Sequence, residues 1–285
     1  MYEPTIAVAH LSLRYDGVTA LDDITFSVEP GMVLGLVGRN GAGKSSLLQC
    51  MLGLTVAQEG SAKLLGCESV ELTDTVRARL GYVAQTPELF GWLRVGEHAD
   101  LLGALYPGWT QEIARDLLRR FDLAPDVRVS KLSPGERQRL AIVLALQHRP
   151  DLLIFDEPVA SLDPVGRRDF LRSLFDHDAL NHEALTVVIS SHLLEDLERV
   201  VTHVMFLDKG RIQLCGSRDE LAEHVRTAFT EKEIRKAPGL LRCHQLSGKL
   251  WQSVIDMRVF ALSSLPADAR VQALGLSDLF VALNS

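Results

Sequence analysis

Two short stretches of this chain hold residue types at spacings suited to phosphate chemistry. The first is Gly38-Arg39-Asn40-Gly41-Ala42-Gly43-Lys44-Ser45, followed by Ser46. It fits G-x-x-x-x-G-K-[ST] between an apolar run and a helical pattern. Glycines at these positions let the backbone turn tightly, so that several N–H groups point inward at phosphate oxygens. The positive end of the following helix dipole falls on the same place. Lys44 would supply a compact charge for β- and γ-phosphates, and Ser45 a hydroxyl for Mg²⁺. The second stretch is Asp151-Leu152-Leu153-Ile154-Phe155-Asp156-Glu157-Pro158. Two adjacent carboxylates at the end of an apolar strand suit a metal ligand (Asp156) and a group that polarises an attacking water (Glu157). Alone, each has a plainer reading: a glycine-rich turn, and solvated acids at a strand exit.

Such groups need a rigid frame. Apolar Val- and Ile-rich runs alternate with helical patterns, the mark of a largely parallel sheet flanked by helices. Val33–Val37, Leu152–Phe155 and Thr186–Ser190 read as buried strands, and Ser45–Leu54 as the helix behind the glycine loop. Ile6–Tyr15 and Ile24–Val28 suggest an antiparallel addition around Asp16-Gly17. Residues 86–131 are amphipathic with few strand runs, so a helical insertion is expected there. Asp208-Lys209-Gly210 reads as a hairpin turn, and Ser217 with Glu220 as a capping box. Beyond about Phe229 mixed charge and Pro238-Gly239 mark a change of character. The expected division is a nucleotide-binding domain over 1–229, with a helical subdomain at about 86–145, and a small accessory region over 230–285.

Composition narrows the choices. At 47% apolar and 24% charged, the 285 residues can build a core. A formal charge of −7 at pH 7 disfavours a nucleic-acid partner. No run of about 18 apolar residues marks a membrane span, and the start lacks the pattern of a secretory signal. Four cysteines far apart fit a reducing compartment.

A third stretch points to a family. Leu132-Ser133-Pro134-Gly135-Glu136 precedes a long helix and, in turn, the acidic strand end. Here the chain resembles the ATP-binding-cassette (ABC) ATPases, whose signature is Leu-Ser-Gly-Gly-Gln; the likeness covers about residues 4–225. The resemblance implies an α/β fold of the P-loop NTPase type, with a mostly parallel sheet, an antiparallel β addition, a helical insertion and a small C-terminal extension. It implies ATP and Mg²⁺ as cofactors. Tyr15 would stack on adenine, and Gln85 would link the nucleotide site to the helical subdomain and serve the metal. Asp163 of Ser161-Leu162-Asp163 would lie in a dimer-contact loop, and His192 would contact the γ-phosphate. Two ATP molecules would be sandwiched head to tail between the glycine loop of one subunit and Ser133, Gly135 and Glu136 of the other. Pro134 and Glu136 depart from the signature, yet Ser-Pro-Gly-Glu is also a well-formed helix start.

These features lead to an expected ATP-hydrolysing subunit docked beneath a separate transmembrane permease, at the cytoplasmic face of the inner (plasma) membrane. A homodimer is expected, with a heterodimer beside another cassette as its alternative. Leu105-Tyr106-Pro107-Gly108-Trp109 and Leu276-Ser277-Asp278-Leu279-Phe280 resemble the bacterial drug- and bacitracin-exporter branch. The competing reading is a cassette ATPase without a transport role, such as an iron–sulfur assembly type.

Overall fold

The computed structural model describes residues 3–159, 166–167, 171, 175, 185–235 and 237–284. The chain opens with β1 (Ile6–Tyr15), β2 (Val18–Val28), β3 (Val33–Val37), α1 (Lys44–Met51), β4 (Glu59–Leu64) and β5 (Cys67–Glu68). Then come α2 (Asp74–Arg77), β6 (Leu80–Val83), α3 (Val95–Gly103), α4 (Gln111–Arg120), α5 (Pro134–Leu146) and β7 (Leu152–Phe155). After β8 (Thr186–Ser191) follow α6 (Leu194–Leu197), β9 (His203–Asp208), β10 (Arg211–Ser217) and α7 (Arg218–His224). The last elements are β11 (Val225–Thr230), β12 (Leu240–Ser247), β13 (Leu250–Asp256), β14 (Arg270–Ala273) and α8 (Leu276–Asn284).

The central sheet has the order β10-β9-β3-β8-β7-β6. All its pairings are parallel except that of β10, the second arm of the Asp208-Lys209-Gly210 hairpin. Side chains alternate across a strand, and here the alternation sorts two cores. Val37, Leu153, Phe155, Val187, Ile189 and Phe206 face the layer that includes α4 and α5. Leu34, Leu36, Leu152, Ile154, Val188 and Met205 face α1 and the antiparallel sheet β2-β1-β4-β5. Both faces are covered, which is why these strands read as unbroken apolar runs. The α/β class with an antiparallel addition is thus present.

Two boundaries shift from expectation for identifiable reasons. Strand β2 begins at Val18 rather than Ile24, because Asp16 and Gly17 both take positive φ (46° and 82°). That pair suits a tight two-residue hairpin and lets Tyr15 pair directly with Val18. Helix α1 stops at Met51 rather than Leu54, because Gly53 adopts φ 69°. A left-handed glycine just beyond the last turn is a common helix stop.

The segment after α7 forms its own antiparallel sheet, β12-β13-β11-β14. Strand β11 begins at Val225, so it runs across the expected boundary at residue 229. This part does not stand apart from the rest of the chain. Val254 on β13 and Leu276, Leu279, Ala282 and Leu283 on α8 belong to the same buried cluster as Val37 and Phe155. Ser277 Oγ also donates to Glu198 Oε2 at 2.8 Å, just beyond α6. Leu279→Ala is therefore expected to cost the whole folded body about 2–5 kcal/mol. The main thermal transition should move down as one; an unchanged main transition would mean that the C-terminal part folds separately.

Candidate functional site

Strands β3, β8, β7 and β6 are neighbours in the central sheet, and their carboxyl ends lie together in register. Val37 is paired with Ser191, Phe155 with Ile189, and Val83 with Phe155. The segments leaving these strands therefore share one edge: the glycine loop after β3, His192 after β8, Asp156-Glu157 after β7 and Gln85 after β6. Backbone bonds carry the ladder past the strand ends, from Gly38 N to Ser191 O (3.3 Å) and from Asp156 N to Val83 O (2.9 Å). Ligands of open α/β sheets bind at such an edge.

The glycine loop has the shape its spacing requires. Gly43 caps α1 at φ 107°, and a Cβ there would lie 2.6 Å from Ala20 O. At Gly38 a Cβ would lie 2.5 Å from Leu207 O. The loop is also tied from behind, where Gly210 N donates to Ala42 O and Gly210 O accepts from Asp22 N.

Lys44 is 5% exposed and Glu157 8%. The Lys44 ammonium donates to Gly38 O at 2.8 Å and to Arg39 O at 3.3 Å, and it pairs with Glu157 Oε1 at 3.0 Å. The other Glu157 oxygen, Oε2, lies 2.7 Å from His192 Nδ1. Burial alone would raise the Glu157 carboxyl; the bonds and charge of Lys44 and His192 overcome that and hold it below the ordinary range. Because Glu157 is then an ionised acceptor, Nδ1 of His192 carries the proton. Glu157 also takes φ 45°, a conformation uncommon for a side chain of this size and characteristic of functional sites.

A pocket of ≈ 400 Å³ lies over these groups, lined by Asn40, Gly41, Gly43, Lys44, Ser45, Ser46, Gln85 and Glu157, with Ala20 at its wall. Of the residues expected from the sequence, this pocket gathers Asn40, Gly41, Gly43, Lys44, Ser45, Ser46, Gln85 and Glu157, whereas Gly38, Arg39, Ala42 and His192 are off its lining. Asp156 is buried beside it at 4% exposure, off the lining. Tyr15 stands outside the lining and is 44% exposed at the end of β1. Ser133, Gly135 and Glu136 are also absent from it; they open α5 elsewhere on the chain. There Ser133 N and Oγ donate to Glu136 Oε2 (2.8 and 2.6 Å), and Glu136 N donates back to Ser133 Oγ at 3.3 Å. These bonds hold the Glu136 carboxyl below its ordinary range. Pro134 takes the first helical position, where its missing N–H costs nothing. Asp163 lies outside the described residues.

Sequence reasoning misses Ser190, which the structure bonds to both acidic positions. Its only signal is a hydroxyl residue at the end of an apolar run, two positions before His192. As for a metal, the described residues contain no cluster of three His, Cys, Asp or Glu side chains. What the site offers is a hydroxyl and an amide in the pocket (Ser45, Gln85) and a carboxylate beside it (Asp156). Few hard oxygen donors beside a phosphate cradle suit Mg²⁺, which keeps several waters and binds with substrate phosphates.

Comparison with known proteins shows the family. Residues 21–160 match the ABC transporter family. The bacitracin transport ATP-binding protein BcrA of Enterococcus faecalis is 32% identical over 235 residues, covering 81% of this chain and 75% of that protein. A probable multidrug ABC transporter ATP-binding protein of Escherichia coli, YbhF, is 30% identical over 225 residues. Those residues are 77% of this chain, but they span only 38% of the longer YbhF. Among solved structures, the ATP-binding subunit of an ABC transporter superposes with a TM-score of 0.68 at 30% identity, covering 77% of this chain and 92% of that one. The chain belongs to the ATP-binding proteins of ABC transporters.

Proposed function

We propose that this protein hydrolyses ATP at the interface of a head-to-tail dimer and thereby drives a separate membrane-spanning subunit, most simply an exporter. The observation that carries this reading is the convergence of Lys44, Glu157 and His192 with the glycine loop at one sheet edge. In this reading a triphosphate lies along the loop N–H groups, and its β- and γ-oxygens draw the Lys44 ammonium away from Glu157. Glu157, still held by His192 through Oε2, is then free to take a proton from the water that attacks the γ-phosphorus. The bond to the β,γ-bridging oxygen breaks, and ADP and phosphate leave. Mg²⁺, when bound, would neutralise phosphate charge, with Ser45, Gln85 and Asp156 as the residues to hold it.

The position of Ser133, Gly135 and Glu136 off the pocket supports a site completed by a second subunit. The Ser133 hydroxyl, which donates to Glu136, would exchange that acceptor for the opposing γ-phosphate. Tyr15 would stack on adenine, and Asp163 would meet the other subunit. A homodimer is the simplest arrangement. Among the described residues no helix is long and apolar enough to cross a membrane, so transport calls for a partner that does. A groove of ≈ 290 Å³ next to Gln85, lined by Leu89, Phe90, Leu102, Leu105 and Tyr106 among others, suits an inserted segment of that partner. Such a partner would place the protein peripherally at the cytoplasmic face of the plasma membrane. The names of the bacitracin and multidrug relatives favour export.

Lys44→Ala is expected to lose most ATP affinity while remaining folded, since among the described residues no other basic side chain lines the pocket. Unchanged affinity in a nucleotide titration would contradict the loop assignment. Glu157→Gln should keep ATP binding and lose nearly all turnover; wild-type turnover would remove Glu157 as the base. The same variant has a pH signature in the absence of nucleotide. A carboxyl lowered on folding adds stability that is complete above its unfolded value, about 4.3, and is lost as pH falls through the folded value. Wild type should therefore melt above Glu157→Gln near neutral pH, and the gap should close on acidification below about pH 4. A gap independent of pH would contradict the ionised pair.

A further inference from the structure

Ser190 is the penultimate residue of strand β8 and has no exposed surface, directly after the run Thr186-Val187-Val188-Ile189. A buried hydroxyl without partners is destabilising, and both of its bonds go to the acidic strand end. The hydroxyl donates to Asp156 Oδ1 at 2.7 Å and accepts the Glu157 peptide N–H at 2.8 Å. Its neighbour Ser191 behaves differently. Ser191 Oγ donates to Leu193 O and accepts from Leu193 N, a local turn that serves only its own segment. The Ser190 contact instead spans two strands and 34 positions of sequence.

The direction of these bonds matters. The hydroxyl proton goes to Asp156 Oδ1, and a lone pair of Oγ receives the Glu157 N–H. One atom thus fixes the rotation of the Asp156 carboxylate and the peptide plane that leads into Glu157, at the residue with φ 45°. We propose that Ser190 is a positioning residue for this site, orienting Asp156 as a ligand for the divalent cation that accompanies the triphosphate. The inference rests on the reading of the pocket as an ATP site. Groups that orient metal ligands in this way commonly alter metal affinity about 10–100-fold when removed.

Ser190→Ala deletes one oxygen and leaves the strand pairing intact. The measurement is the affinity of purified full-length protein for ATP with Mg²⁺ and for ATP in excess EDTA, by titration calorimetry. Wild type should bind ATP more tightly with Mg²⁺. Ser190→Ala should reduce that advantage about ten-fold while metal-free affinity stays within about two-fold. Asp156→Asn should reduce it too, and the double variant should add little to Asp156→Asn, as expected for residues acting through one bond. Ser190→Thr, which restores the hydroxyl, should return the wild-type ratio and guards against misfolding of the alanine variant. An unchanged ratio in Ser190→Ala, an equal loss with and without Mg²⁺, additive effects, or a folded threonine variant with the alanine ratio would each overturn the proposal. Failure of wild type to bind ATP at all would instead overturn the nucleotide reading itself.

Discussion

The site depends on one constraint: neighbouring parallel strands that end in register on the same edge. Parallel pairing fixes direction, so every segment leaving a strand at its carboxyl end emerges on that edge. In this chain those segments are the glycine loop, Gln85, Asp156-Glu157 and His192, drawn from positions 38 to 192. The pairing in turn requires apolar cover on both faces. The two buried clusters supply it, one from the layer of α4 and α5 and the other from α1 with the antiparallel sheet. A one-residue slip of β7 against β8 would exchange Leu153 and Phe155 with Leu152 and Ile154 between the two cores. It would also carry Glu157 out of the pocket lining and Asp156 from its place beside it.

Burying Lys44 and Glu157 side by side is costly unless each charge is fully partnered. The protein meets this with two carbonyls and a carboxylate around the ammonium, and with His192 on the far oxygen of Glu157. The chain Lys44–Glu157–His192 therefore holds the Glu157 carboxylate in an ionised and oriented form. Rigid backing holds it in place. The Asp208-Lys209-Gly210 hairpin clips the glycine loop to β2 through both polar groups of Gly210, and the close contacts at Gly38 and Gly43 leave no room for a Cβ. The C-terminal helix α8 contributes to the same body by packing beside α6, directly after His192.

The parts legible in the sequence are those whose signal is local. The glycine loop spans eight residues, the apolar run before Asp156-Glu157 is continuous, and Ser133-Pro134-Gly135-Glu136 writes its own capping box. Pairing across strands leaves no local trace: nothing near Lys44 announces Glu157, and nothing near Asp156 announces Ser190. The start of β2 escapes the sequence because Leu21 alone among residues 18–23 is buried, while the decisive signal is the pair of positive φ angles at the turn. The C-terminal sheet shows in the sequence only as a change of character. Strands β12 and β14 are sheet edges without a buried position, so neither carries the apolar alternation that marks a half-buried strand.

The most direct test is a crystal structure of the protein with ATP and Mg²⁺. The expected result has the triphosphate along Gly38–Ser46, Lys44 Nζ moved from Glu157 to the β- and γ-oxygens, and Glu157 still bonded to His192 while facing the γ-phosphate. A triphosphate bound away from this loop, or one bound in it with Lys44 still paired to Glu157, would contradict the assignment of this strand-end cluster as the hydrolytic site.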